Sequence, residues 1–192
     1  QFDLTISQSV IRHMSVAGLL AFTSDVSAVN TLIHNAGTYV VGNFAGGNYS
    51  YQHCTFTNQP GFFINDEPSI QFSDNIVLAN NEVLAAPLTL KIENSILWGP
   101  EGNQLLINGG GGASVVVRLQ SNIIRSEEAY EGNLTSVVNN FPGFTDQFIF
   151  DYTLDSLSPA IDQGANLGII DDLRGLLRDE NPDIGAYERI SQ

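Results

Sequence analysis

The sequence predicts an all-β solenoid of about six coils with an irregular C-terminal cap. Three observations lead there. First, six segments of similar pattern recur: "LTISQSVI", "VSAVNTLI", "YSYQHCTF", "IQFSDNIV", "LKIENSIL" and "VRLQSNII". With Ser9, Thr31, Cys54, Asn75, Ser95 and Asn122 taken as equivalent, they lie 22, 23, 21, 20 and 27 residues apart. Second, apolar and polar residues alternate with period two inside each segment. Third, the end of the chain drops this pattern and becomes rich in charge, Pro and Gly. A repeat of this length that buries one face per unit marks a solenoid. Period two makes its elements strands.

Taken in order, each coil opens on an inward column of Leu4, Val26, Tyr49, Ile70, Leu90 and Val117. Two residues on stand Ile6, Ala28, Tyr51, Phe72, Ile92 and Leu119. The residues between them face out. After the anchor come Val10-Ile11, Leu32-Ile33, Thr55-Phe56, Ile76-Val77, Ile96-Leu97 and Ile123-Ile124. Later apolar runs, "LLAF", "YVVG", "GFFI", "EVLA" and "QLLI", supply a second or third strand per coil, joined by Gly- and Asn-rich bends. A helical solenoid needs apolar spacings of three and four, which are missing, as is the Leu and Asn pattern of leucine-rich repeats.

Just before the anchor stand Gln8, Asn30, His53, Asp74, Asn94 and Ser121. Alternation points this polar column inward, where stacked side chains must bond one another and the bend backbone. Its functional reading is a catalytic pair of His53 and Asp74. The single cysteine, Cys54, permits no internal disulfide and reads as a packed thiol. The glycines at 109–112 read as a bend between coils, because no Lys-Ser/Thr follows to make a phosphate loop.

Residues 1–126 are thus assigned to coils. Residues 127–192 are a connecting loop, a final strand segment and the cap of the same domain. In the cap, Ala160, Ile161, Ile169, Ile170, Ile184 and Tyr187 plug the core end. Arg174 or Arg178 pairs with Asp162, Asp172, Asp183 or Glu188. The alternative for this acidic stretch is a calcium site on Asp171, Asp172, Asp179 or Asp183. Strand pattern begins at Leu4 with no cap before it. The expectation is a C-terminal piece of a longer chain, with upstream coils as its partner.

Seven Lys and Arg stand against 21 Asp and Glu, a net charge of -14. That field repels nucleic acid and anionic membrane, and favours neutral or cationic partners or calcium. No apolar run is long enough to span a bilayer.

"IENSILWGPEGNQLLI" resembles a coil of bacterial secreted right-handed β-helix repeat proteins, the pectate-lyase-like superfamily. "DYTLDSLSPAIDQGA", with "DDLRG" and "NPDIGAYE", resembles their closing segment. The resemblance implies a right-handed parallel β-helix and an extracellular or cell-surface bacterial setting. It names no reaction, because such scaffolds carry lyases, hydrolases, adhesins and binding modules.

A lyase on this scaffold needs a basic residue on an outer sheet and a cation to neutralise the uronate. Lys91 and Arg118 are the best basic pair, with Glu93 beside Lys91; the alternative is a solvated contact between Lys91 and Glu93. The Asn-Thr-Asp, paired-Asp and Gly-His-Gly patterns of inverting hydrolases are missing. His13, His34 and His53 fall in different columns, which argues against a three-His metal site. Trp98, Tyr130, Tyr152 and Phe144 are candidate sugar-stacking platforms or packed aromatics. Two functions follow. One is a non-catalytic segment serving as scaffold, adhesin or carbohydrate-binding module. The other is part of a polysaccharide lyase or glycoside hydrolase.

Overall fold

A computed structural model describes residues 2–59, 67–100, 102–127, 129–135 and 141–189. Among these the protein is all-β, with one short 3-10 turn at Gln147–Ile149. The strands are β1 (Leu4–Met14), β2 (Ala17–Ala36), β3 (Tyr39–Gln52), β4 (Thr55–Thr57), β5 (Ile70–Ser73), β6 (Asn75–Val77), β7 (Val83–Ala85), β8 (Leu88–Glu93), β9 (Ile96–Trp98), β10 (Leu105–Asn108), β11 (Val115–Gln120), β12 (Ile123–Ile124), β13 (Leu134–Thr135), β14 (Phe144–Asp146) and β15 (Asp151–Leu154).

Eleven of them join in one nearly closed parallel sheet. The long strands β1, β2 and β3 turn corners, so the sheet divides into three rows. The first row stacks residues 4–7, 26–29 and 49–52 with β8 and β11. The second stacks residues 9–14 and 31–36 with β4, β9, β12 and β13. The third stacks residues 17–22 and 39–43 with β5 and β10. Between the rows lies the main core, in which Val26, Tyr51, Phe56, Ile70, Phe72, Leu90, Ile92 and Leu97 are fully buried. The outermost strands expose the same columns: Leu4 and Val117 are 42% and 40% exposed, where Val26 and Leu90 are 1%.

The spacings of 22 and 23 residues hold in the register Leu4–Val26–Tyr49, but Tyr49 continues to Leu90, not to Ile70. In the second row Thr55 likewise pairs with Ile96. "IQFSDNIV" is therefore no coil start. Its Ile70 and Phe72 stack in the third row on Val41 and Asn43, and Asn75 leaves the sheet into an antiparallel hairpin of β6 and β7. "EVLA" lies in that exposed hairpin rather than in a third-row strand. The physical reason is that period two shows which residues face in, not which row they face in from. "LLAF", "YVVG" and "QLLI" do stack in the third row; "GFFI" lies outside the described residues.

Five of the six polar-column residues share one place in the fold. Gln8, Asn30, His53, Asn94 and Ser121 mark the corner between the first and second rows, with φ of 43, 49, 50, 49 and 53°. A left-handed residue turns each strand through that corner, a conformation Asn adopts at low cost. Asp74 is not among them. Its carboxylate accepts from the Gly111 and Ala113 amides at 2.9 and 3.2 Å. It thereby holds the glycine bend of residues 109–112.

Two later pieces cover the sheet from outside. The antiparallel hairpin of β14 and β15 packs on the second row, where Leu32, Ile96, Trp98 and Ile123 meet Phe144, Tyr152 and Leu154 in a second apolar cluster. Residues 158–189 then run along the corner column as a strap. The Ala165 amide donates to Asn94 Oδ1, the Ala186 amide to Thr55 Oγ1, and Asn30 Nδ2 and Gln8 Nε2 donate to Asp171. The expected end cap is thus a lateral strap that touches successive strands of the stack. The corner side chains supply most of the partners, and the Gly185 amide of the strap donates to the Asn94 carbonyl at 2.8 Å.

Candidate functional site

The first row's outer face brings the basic pair together. Arg118 stands directly opposite Lys91 on the neighbouring strand, and Glu93 lies opposite Gln52 and Gln120. Both cations point at one carboxylate: Lys91 Nζ lies 2.8 Å from Glu93 Oε2 and Arg118 Nε 3.3 Å from Oε1. Gln52 Nε2 also donates to Oε2 at 2.8 Å. Glu93 is 2% exposed. Burial alone raises its carboxyl, but the hydrogen bonds and charges of Lys91, Gln52 and Arg118 outweigh that and hold it below the usual carboxylate range. It stays ionised and acceptor-only, the opposite of what a general acid needs. Lys91 Nζ in turn donates to Glu93.

His53 and Asp74 are not brought together, since they occupy different rows. His53 is fully buried beneath the strap, with Nε2 2.9 Å from Asn94 Nδ2. Burial, aided by the nearby Arg178 charge, pushes its pKa down to about 3. Cys54 lies in the core, donates to the Gln52 and Ala28 carbonyls, and has its thiol pushed up to about 12 by burial. That is an inert thiol.

Asp171, Asp172, Asp179 and Asp183 all accept hydrogen bonds at the strap. Asp172 Oδ1 accepts from the Arg174 and Leu176 amides, and Oδ2 from the Glu188 amide. Asp183 accepts from the Asp162 and Arg189 amides, Asp179 from the Asn181 amide, and Asp171 from Gln8. Among the described residues no three His, Cys, Asp or Glu side chains are grouped to hold a metal ion. Arg174 pairs with Asp172 at 3.4 Å and Arg178 with Glu188 at 2.9 Å. Asp162 itself contributes a left-handed turn, φ 56°.

The aromatic candidates divide between packed and partly open positions. Trp98, Tyr152 and Phe144 are buried between the second row and the hairpin, so they offer no face to a sugar. Arg125 lies over the Trp98 ring at 5.3 Å. Tyr130 is half-buried and lines an open pocket of about 410 Å³ with Leu105, Ile107 and Val117.

A partly exposed aromatic cluster, with Phe22 exposed and Tyr39 and Phe44 half-buried, is one the repeat pattern did not single out. On the outer face of the third row, Phe44 lies 5.9 Å from Phe22 and 5.3 Å from Tyr39, centroid to centroid. Gly42 is their floor. A Cβ there would meet Phe44 Cε2 at 2.9 Å, Tyr39 Cγ at 3.1 Å and Leu20 Cδ1 at 3.2 Å. Without one, the rings lie against the sheet. Neighbouring outward positions are Gln71, Leu106 and Asn108, none of them charged. A Gly inside a strand pattern, two residues from one aromatic and three from another, was the available signal.

Comparison of the chain with family models, with curated proteins and with solved structures finds no match in any of the three.

Proposed function

We propose that this chain is a non-catalytic segment of a right-handed parallel β-helix in a secreted or cell-surface bacterial protein, and that it binds neutral carbohydrate. The observation that carries the reading is the Glu93 cluster. The two residues best suited to abstract a proton are both committed to one buried carboxylate, 2.8 and 3.3 Å away. The three rows support the helical winding. The ring cluster of Phe22, Tyr39 and Phe44 supports the ligand class, because aromatic faces stack on the apolar face of a pyranose. Its outward neighbours Gln71 and Asn108 are uncharged amides suited to hydroxyls. The net charge of -14 disfavours polyanions.

The test is incubation with neutral and acidic polysaccharides, with and without calcium, following bound glycan and released reducing or unsaturated ends. Binding without product supports the reading. Product that is lost in Lys91→Ala or Arg118→Ala overturns it in favour of a lyase. Neither binding nor product leaves the scaffold role and removes the carbohydrate ligand.

A further inference from the structure

The sequence separates His13, His34 and His53 into different columns, yet the fold places two of them under one element. His13 and His34 sit in adjacent strands of the second row, with ring centroids 5.5 Å apart. The tip of the β14–β15 hairpin packs on both. Phe150 lies 4.9 Å from His13 and 5.6 Å from His34, and Tyr152 lies 4.8 Å from His34. From there an aromatic chain runs along the hairpin: Tyr152 to Phe144 at 5.1 Å, Phe144 to Phe141 at 5.7 Å, and Phe141 to Trp98 at 6.2 Å. His34 is therefore at one end of the docked surface and Trp98 at the other.

His34 is 1% exposed, and its Nδ1 has no hydrogen-bond partner among the described atoms. Thr57 Oγ1, on the strand beside it, and Tyr152 OH, on the hairpin above it, are likewise buried without a partner. Such a site tolerates a neutral imidazole and leaves the Nδ1–H of an imidazolium without an acceptor in the docked arrangement. The charges that reach His34 are those of Arg12 and His13 on β1, both of the same sign as the imidazolium. β4 presents Thr57, and the hairpin presents the Tyr152 phenol. The hairpin's carboxylates are turned elsewhere: Asp151 accepts from the Thr153 amide and hydroxyl, and Asp146 from the Phe148 amide.

We propose that the β14–β15 hairpin is an acid-released cover, docked on the second row while His34 is neutral and undocked when His34 takes a proton. Release uncovers the apolar outer face around Trp98, while Ala160, Ile184 and Ala186 of the strap remain in the same cluster. The parallel rows keep their own backbone pairing, since none of their ladder bonds passes through the hairpin. Burial, with the His13 and Arg12 charges, lowers His34 to about 4. Arg12 and His13 stay on β1 when the hairpin leaves, so linkage weakens docking by at most about 100-fold between pH 7 and pH 4.

Trp98, the chain's one tryptophan, reports on the covered face. Its emission and the far-UV circular dichroism are to be followed from pH 7 to 3.5 in the wild type, His34→Phe and His53→Gln. The expected result is a red shift of Trp98 with a midpoint between pH 4 and 6.5, at constant far-UV signal, retained in His53→Gln and lost in His34→Phe. A Trp98 transition that coincides with loss of the far-UV signal, one that persists in His34→Phe, or none at all overturns the proposal. If His34→Phe does not fold, histidine ring resonances of the wild type decide. His34 titrating in step with Trp98 supports the cover, and His34 titrating independently of Trp98 removes it.

Discussion

Arg178 reaches 148 residues back along the chain to Asn30, with Nη2 3.0 Å from Oδ1, while its Nη1 holds Glu188 at 2.9 Å. The same guanidinium donates to the backbone carbonyls of Asp171, Asp183 and Gly185. One buried side chain therefore ties both limbs of the strap to a corner of the sheet.

Removing it leaves Glu188 buried without its cation. Arg178→Ala is expected to cost about 3–5 kcal/mol, the usual penalty for breaking a buried pair. Arg178→Lys is expected to recover only part, because an ammonium cannot fill the planar fork. Urea unfolding monitored by circular dichroism measures both.

Stability is expected to fall as pH drops below about 6.5. His34 and His53 are lowered to about 4 and about 3 by burial, so the unfolded chain takes up protons first. Their contribution is complete above the unfolded value and is lost as pH falls toward the folded ones. Each histidine then removes about 2 kcal/mol between pH 7 and pH 5. Asp183 and Glu188, raised by burial, act in the opposite sense and moderate the slope in acid. His53→Gln should flatten the profile measured by urea unfolding at several pH values.

The Glu93 cluster predicts a non-additive pair. Lys91→Ala or Arg118→Ala alone leaves Glu93 with one cation and Gln52, so each should cost less than about 1 kcal/mol, as for other solvent-screened cations. The double variant strands a buried carboxylate and should cost at least about 1 kcal/mol more than the sum. A double-mutant cycle in thermal unfolding checks this.

Gly42→Ala places a methyl against Phe44, Tyr39 and Leu20. The rings must tilt, at about 1 kcal/mol of overpacking. Under the proposed function, glycan affinity should fall at least tenfold, with Lys91→Ala unchanged in the same titration. Isothermal calorimetry against the best polysaccharide of the panel is the measurement.

Much of the sheet was legible in the chain, because alternation of Leu4 with Ile6, or Val26 with Ala28, is imposed by the pleat itself. The basic pair was legible for the same reason: Lys91 and Arg118 occupy equivalent positions in matching patterns, and they stack in register. Asp74 and Ile70 were misplaced because their segment carries the same alternation as a first-row strand. The Phe22, Tyr39 and Phe44 cluster escaped because it depends on which outward residues the third row makes adjacent.

The sequence by itself determined the all-β class, the faces of each strand and the 22- and 23-residue steps between the first three. These follow from local periodicity and need no knowledge of the partner. Only the tertiary structure decided that the tail straps the corners, that Arg178 meets Asn30, that Trp98 lies covered and that His13 and His34 share one hairpin. Those outcomes rest on segments far apart in the chain. Hydrogen-bond satisfaction and burial select such contacts among many that the local pattern equally allows.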